Sequence, residues 1–372
     1  MATGDTSQVS MERKQYLDAA KGVGINMIIF GHITTVGNPV DNWIGIFKIS
    51  IFFIISGYLM AMNHTAEKYT AAEFLKRHGR SLMLPYIGYS IISIAYVFLR
   101  NLFLNRTLYS AWRKLLDMGY ASLTLRGYST LWFLPCLFLG QLLFLLWLKT
   151  PKVCRIVLFF LPIVITQVLE KVILSWKASL SSTTFKLISY PTLTISRSIL
   201  ALWFILAGYL CFMILEKWQV PLGRFLVGLA ATFLTMFLSR YKGNTDINNL
   251  YVGKHPEIFY LCGILGAIGV ILILEYLEHC RVPMNFLIWC GVHSLTIMAT
   301  HVPLGFKALV IRGFSHVYAL EKAATAKYYL EVIGIQAHLL MLECGVVQIV
   351  HQCFPFLEGK IRRKNTAGNT GK

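Results

Sequence analysis

Apolar residues in this chain come in long unbroken runs, not in the alternating or one-sided patterns of a half-buried strand or surface helix. Ten runs can be marked, at roughly 22–36, 43–62, 82–104, 130–148, 153–174, 193–215, 222–239, 258–277, 284–304 and 328–354. A helix rises about 1.5 Å per residue, so about twenty apolar residues cross a hydrocarbon core of about 30 Å. The runs therefore predict an all-α fold: a polytopic membrane bundle of about ten transmembrane helices. The first run is short unless its helix begins near Tyr16. Pro85, Pro135, Pro162 and Pro303 lie within or near the ends of runs. Membrane helices accept such kinks where neighbours satisfy the freed carbonyls.

The polar links suggest an orientation. Link 37–42 holds no Lys or Arg, whereas 63–81 holds Lys68, Lys76, Arg77 and Arg80. The stretch after Phe354 adds Lys360, Arg362, Arg363, Lys364 and Lys372. Basic short loops stay in the cytoplasm, so ten spans predict both termini inside a multi-pass cell-membrane protein. The outer links 105–129 and 305–327 carry basic residues too, among them Arg106, Arg113, Lys114, Arg126, Lys307, Arg312, Lys322 and Lys327. These links are longer, and charge is a weaker guide there. The expected organisation is one membrane domain, 1–355, and a polar cytoplasmic tail, 356–372.

Composition agrees with a membrane solvent. Only 14% of residues are charged, against about a quarter in soluble domains, too few to solvate a globule of this length. The first twenty residues are polar and show no cleavable leader, so the first run is expected to remain as a signal anchor. The formal charge of +18 fits the positive-inside bias and anionic lipid. No nucleic-acid-binding module is evident. The eight cysteines are scattered without a CxxC pair, and imply neither a disulfide framework nor a metal site.

Ionisable groups inside apolar runs are costly, which makes each a candidate for function. Lys21 and His32 are eleven residues apart, about three helical turns, so they share nearly one face about 16 Å apart along the axis. A deep imidazole suits a general base that takes a proton from a hydroxyl; spacing alone equally allows a histidine held by a neighbouring carbonyl. Arg77 and Arg80 in KRHGR could clamp a phosphate or only anchor the helix by charge. Ser56 and Gly57, in FFIISGYL at 52–59, form a small-residue notch for a thin ligand arm or for helix packing. His293 and His301 are eight residues apart, a poor zinc signature. His301 could contact an acceptor or cap its helix beside Pro303. Lys48, Glu170, Arg197 and Glu343 are further charges in runs, expected to be paired inside the bundle.

Together these segments resemble the acyltransferase-3 family of integral membrane acyltransferases. The motifs LDAAKGVGINMIIFGH, FFIISGYL, RHGR, LWFLPCLF and GVHSLTIMATH occur in that family's order, from about Tyr16 to Pro303. The family moves acyl groups, commonly acetyl from acetyl-CoA, onto hydroxyls of glycans, lipid-linked sugars or small metabolites. The resemblance implies His32 as the catalytic histidine. It implies Lys21, Arg77, Arg80, Ser56, Gly57 and Tyr58 on the acyl-CoA donor side. His301, Lys48 and Trp132 fall to the acceptor or to support. Lys21 stands where many members have Arg, and Lys48 where related sequences often have His. The implied co-substrate is acetyl-CoA or another acyl-CoA, with no bound cofactor and no metal. The implied partners are a carbohydrate or other hydroxyl acceptor and the lipid bilayer, with no nucleic acid.

A transporter or flippase of a lipid-linked sugar is the rival reading, since ten spans with buried charges would suit one. Transporters often carry internal repeats; here the halves share only a loose echo of FFIISGYL in ILAGYL, 205–210. Links 105–129 and 305–327 are basic and aromatic, which suits an anionic or sugar acceptor, or anionic lipid. Direct transfer and an acyl-enzyme intermediate are equally open.

Overall fold

The computed structural model describes residues 14–34, 38–104, 107–241, 243, 245–317, 321 and 323–359. The polar stretch 1–13, Arg106, Lys322 and the tail from 360 onward lie outside them. Among the described residues the fold is all-α; the nearest thing to a strand is an isolated bridge between Asp246 and Tyr251.

In chain order, α1 (Gln15–Ile33) is followed by a short α2 (Pro39–Ile44) and by α3 (Ser50–Met62). Next come α4 (Thr65–Lys68) and α5 (Ala71–His78), the latter passing through a turn of π-helix, Gly79–Met83, into α6 (Leu84–Phe103). Then follow α7 (Leu108–Leu123), α8 (Phe133–Leu148), α9 (Lys152–Ser179), α10 (Ser182–Leu215), α11 (Pro221–Leu238) and α12 (Pro256–His279). The chain closes with α13 (Asn285–Val292), α14 (Ser294–Thr300), α15 (Phe306–Val317) and α16 (Ala326–Cys353).

Seven helical stretches among the described residues are long and apolar enough to cross a membrane, not the ten expected from the runs. The three that fall short are α1, α3 and the α13–α14 pair, which carry the histidines and the FFIISGYL motif. Run 43–62 gives way to turns at 45–49, leaving α3 with thirteen residues. Run 284–304 breaks at His293 into helices of eight and seven residues. Broken backbone at membrane depth is tolerated where it is enclosed by protein or lines a cavity; α1, α3 and α14 each bury more than half of their residues, while α13 packs against α1 with Cys290 and Gly291 buried. Links 105–129 and 305–327, expected to be loops, contain α7 and α15.

The outer helices show the solvent they face. Val153, Ile156 and Phe160 on α9, and Leu226, Phe233 and Phe237 on α11, are all exposed, as only lipid would permit for so many large apolar side chains. The chain is a multi-pass membrane protein. Inside the bundle, glycines let helices approach to backbone contact. On α1 and α13, a Cβ at Gly22 would strike the Leu287 carbonyl, and one at Gly291 the Asp18 carbonyl. On α3 and α10, a Cβ at Gly57 would strike the Ile205 carbonyl, and one at Gly208 the Ile54 carbonyl. The echo ILAGYL is thus the mating surface of FFIISGYL: each motif supplies the glycine that admits the other's backbone.

The folded part runs past the expected boundary at 355. The short turn Pro355–Glu358 docks on the bundle: Leu357 is buried, and the Glu358 carboxylate lies 3.0 Å from His351 and 3.6 Å from His293.

Candidate active site

Two cavities enter the bundle from opposite ends of α1 and α3. The first, about 530 Å³, is lined near its mouth by Lys21, Lys68, Tyr69, Arg77 and His78, and deeper by Ser56, Gln141 and Phe52. The second, about 340 Å³, is lined by His32, Lys48, Trp132, Asp246 and Asn248. Both are bounded by Ile28, Phe133 and Met298, so these three side chains form the partition between them. Lys21, nearly two turns into α1, and His32, in its last turn, open into different cavities. This places two chambers end to end through the bundle.

At the first mouth, Lys21 is held 2.6 Å from the buried Asp18 carboxylate, one helical turn back. Arg77 is exposed, donates to the Tyr69 hydroxyl and lies 5.1 Å from that ring's centroid. The Lys68 ammonium lies 5.9 Å from the same ring. Three cations therefore ring the opening, a field that concentrates anions. Farther in, His78 Nδ1 lies 3.1 Å from Gln141 Oε1, and the Gln141 amide donates to Ser56 Oγ at 2.7 Å. With its oxygen occupied by that amide, the Ser56 hydroxyl keeps its own proton free for a carbonyl in the cavity.

Not every residue assigned to the donor side reaches it. Gly57 faces α10, where it meets the backbone of Ile205. Tyr58 is buried, with its hydroxyl 3.2 Å from that of Tyr16 and its ring edge-on to Phe212. Both tie helices together. Arg80 sits in the π-helical turn, exposed and away from the cavity lining. Gln141 and His78 do line it, although sequence reasoning passed them over. A lone glutamine inside LPCLFLGQLLFLLWL was the available signal.

In the second cavity His32 stands at the last turn of α1, exposed to the chamber. Its backbone carbonyl accepts from Lys307 Nζ at 2.9 Å. Among the described residues its imidazole has no side-chain hydrogen bond, so the carbonyl-held alternative does not occur there. Lys48 is paired with Asp41 at 2.9 Å. That pair lies against α1 because the neighbour of His32 is Gly31, where a Cβ would collide with it. His301 lies beside His32, ring centroids 5.3 Å apart and planes tilted by 49°. It is fully buried. Its Nδ1 lies 2.7 Å from the Ile297 carbonyl, which can only accept, so Nδ1 carries the proton. Nε2 is buried without a hydrogen-bond partner among the described residues, and its lone pair is uncommitted.

Of the other charges expected to be paired, Glu170 accepts from Val252 N at 3.2 Å and Glu343 bonds Thr300 Oγ1 at 2.6 Å. Arg197 is fully buried against the Trp132 ring, 5.0 Å from its centroid, and its guanidinium bonds only neutral groups among the described residues. Those residues contain no cluster of three or more His, Cys, Asp or Glu fit to hold a metal.

No curated protein and no solved structure matches the chain. A family model described as an acyltransferase domain, Acyl_transf_3, matches residues 14–317. The match covers α1 through α15, and with it both cavities and the partition between them. The chain belongs to the acyltransferase-3 family and is a membrane-bound acyltransferase.

Proposed function

We propose that this protein transfers an acyl group, acetyl in the first instance, from acyl-CoA to a hydroxyl of a sugar in a surface or exported glycan, with His32 as general base. The observation that carries this reading is the pair of chambers. The cation-ringed cavity suits the phosphates of CoA, with Lys21 and Arg77 as their contacts, and its apolar depth suits the thin, mostly uncharged pantetheine arm. Ser56 stands along that path, able to donate to an amide or thioester carbonyl. The partition of Ile28, Phe133 and Met298 is where the thioester would arrive, and His32 waits on the other side.

An acceptor hydroxyl in the second chamber loses its proton to His32 as its oxygen attacks the thioester carbonyl. The C–S bond breaks, the ester forms, and the proton passes to the departing thiolate. His301, through its free Nε2, orients His32 or the acceptor, and Lys48 and Trp132 shape the acceptor chamber. By the basic 63–81 segment, the donor cavity faces the cytoplasm and the acceptor cavity the outside of the cell membrane. The donor end of α1 is its beginning, so the N-terminus lies inside.

His32→Ala tests this. The purified protein should lose acetyl transfer and retain its melting temperature, because the His32 side chain is exposed and makes no side-chain hydrogen bond among the described residues. Wild-type turnover in that variant would remove His32 from the chemistry.

A further inference from the structure

The acceptor chamber does not end at Asn248. Ser129 and Asn248 also line a compartment of about 160 Å³ bounded by Arg126, Lys114, Tyr128, Tyr190 and one carboxylate, Asp117. Lys114 and Tyr128 in turn line another of about 300 Å³ with Arg100. The chamber is therefore one end of a train of compartments.

Charge is unbalanced along it. Arg126 donates to Asn248 Oδ1 at 2.6 Å and to Asn249 Oδ1 at 3.1 Å. Arg197 donates to the same Asn248 oxygen at 3.2 Å and to the Arg126 carbonyl at 3.3 Å. Every one of these acceptors is neutral. Among the described residues no carboxylate lies within ion-pair distance of either guanidinium or of Lys114. Asp246 spends its oxygens on Asn248 N and Asn249 Nδ2, and Asp117 pairs with Lys186. Two guanidiniums occupy the Asn248 oxygen, which leaves its amide NH₂ as the side chain's donor beside the cavities that Asn248 lines. Asp246 acts on both guanidiniums only from beyond ion-pair distance, and arginines without a directly paired carboxylate are costly, so a ligand anion would supply the contact they lack.

The backbone here is strained as well. Leu125 and Ser129 both have left-handed φ, 58° and 54°, on either side of Gly127 at 69°. Such conformations in non-glycine residues persist at functional sites where the surroundings enforce them.

We propose that the Arg126 compartment is an anion subsite and that the acceptor is an acidic saccharide. Its carboxylate or phosphate sits against Arg126, Lys114 and the Asn248 amide, while a hydroxyl of an adjoining sugar meets His32. This deepens the proposed acyl transfer and rests on it for the meaning of the word acceptor; the binding claim stands by itself.

The test uses the full-length His32→Ala protein in detergent, so that binding is read without chemistry. The probes are cellotetraose and its forms carrying C6 carboxylate or C6 phosphate. The acidic forms should bind at least about tenfold tighter than the neutral one, with an advantage that shrinks as salt rises. The charged form that binds better identifies the anion. Arg126→Gln should abolish the advantage and Lys114→Gln reduce it. Asn248→Asp is the decisive variant: its carboxylate pairs with both guanidiniums in place, so melting temperature should hold or rise while the preference for acid is lost. Equal binding of neutral and acidic probes, no binding of the acidic probes, or an undiminished preference in a folded Asn248→Asp protein would overturn the subsite. Acyl transfer by the wild type to neutral and acidic probes with equal kcat/KM would leave the acyltransferase reading intact and reject this one.

Discussion

His301 keeps a buried, uncommitted Nε2 while its Nδ1 is fixed to the Ile297 carbonyl, and its ring lies 5.3 Å from that of His32. A fixed tautomer beside a solvent-accessible imidazole is suited to positioning. His301→Ala should lower kcat roughly 10²-fold, within the range of acid–base contributions. The KM for acyl-CoA should stay unchanged, because His301 lies on the acceptor side of the partition. Steady-state kinetics with each substrate varied in turn give the answer. A raised donor KM with intact kcat would move His301 out of this role.

Arg77 and Arg80 should separate. Arg77 lines the donor mouth and Arg80 does not. Arg77→Ala should raise the KM for acyl-CoA roughly tenfold, equivalent to ~1.4 kcal/mol, while Arg80→Ala should change it little. Equal effects from both variants would mean that the π-helical turn rearranges around the donor.

The reciprocal crossing of α3 and α10 sets a stability prediction. At Gly57 and Gly208 an added methyl meets a backbone carbonyl of the facing helix, which cannot rotate away. Either glycine to Ala should destabilise the protein by about 1–3 kcal/mol or more, the usual cost of overpacking. Gly119, with open space around its Cβ position, should accept Ala without loss. Thermal melts in a single detergent compare the three.

Sidedness can be read by labelling. A single cysteine placed at Lys76, which is exposed near the donor mouth, should resist an impermeant thiol reagent in intact cells, and one at Lys114 should react. The reverse pattern would put the donor cavity outside the cell.

Much of this architecture can be read along the chain. Long apolar runs specify helices that need a hydrocarbon solvent, and the exposed faces of α9 and α11 realise that directly. The spacing of Lys21 and His32 sets them about three turns apart on one helix, because helical geometry is local. The motif order from LDAAKG to GVHSLTIMATH is equally a property of the sequence, and the family membership follows from it.

Other features depend on contacts between residues far apart in sequence. Gly57 and Tyr58 belong to the same motif as Ser56, yet of these three Ser56 alone lines the first cavity. Successive helical residues point about 100° apart, and the fit of α10 against Gly57 decided which of them lines space. The same holds for Lys48, whose pairing with Asp41 depends on the turns that replace the start of run 43–62.

The sequence by itself determined the membrane solvent, the helical runs and the polar residues buried within them, since hydropathy and helical period are carried by consecutive residues. Only the tertiary structure decided that α1, α3 and α14 are the shorter helices packed inside, with α13 laid against α1. The same is true of the meeting of His32 and His301 across 269 positions, and of the neutral Asn248 oxygen that Arg126 and Arg197 share. These relations depend on which side chains meet across helices and on which buried charges lack a directly paired carboxylate. Both are settled by close packing among distant segments, where one glycine or one unpaired guanidinium fixes the geometry.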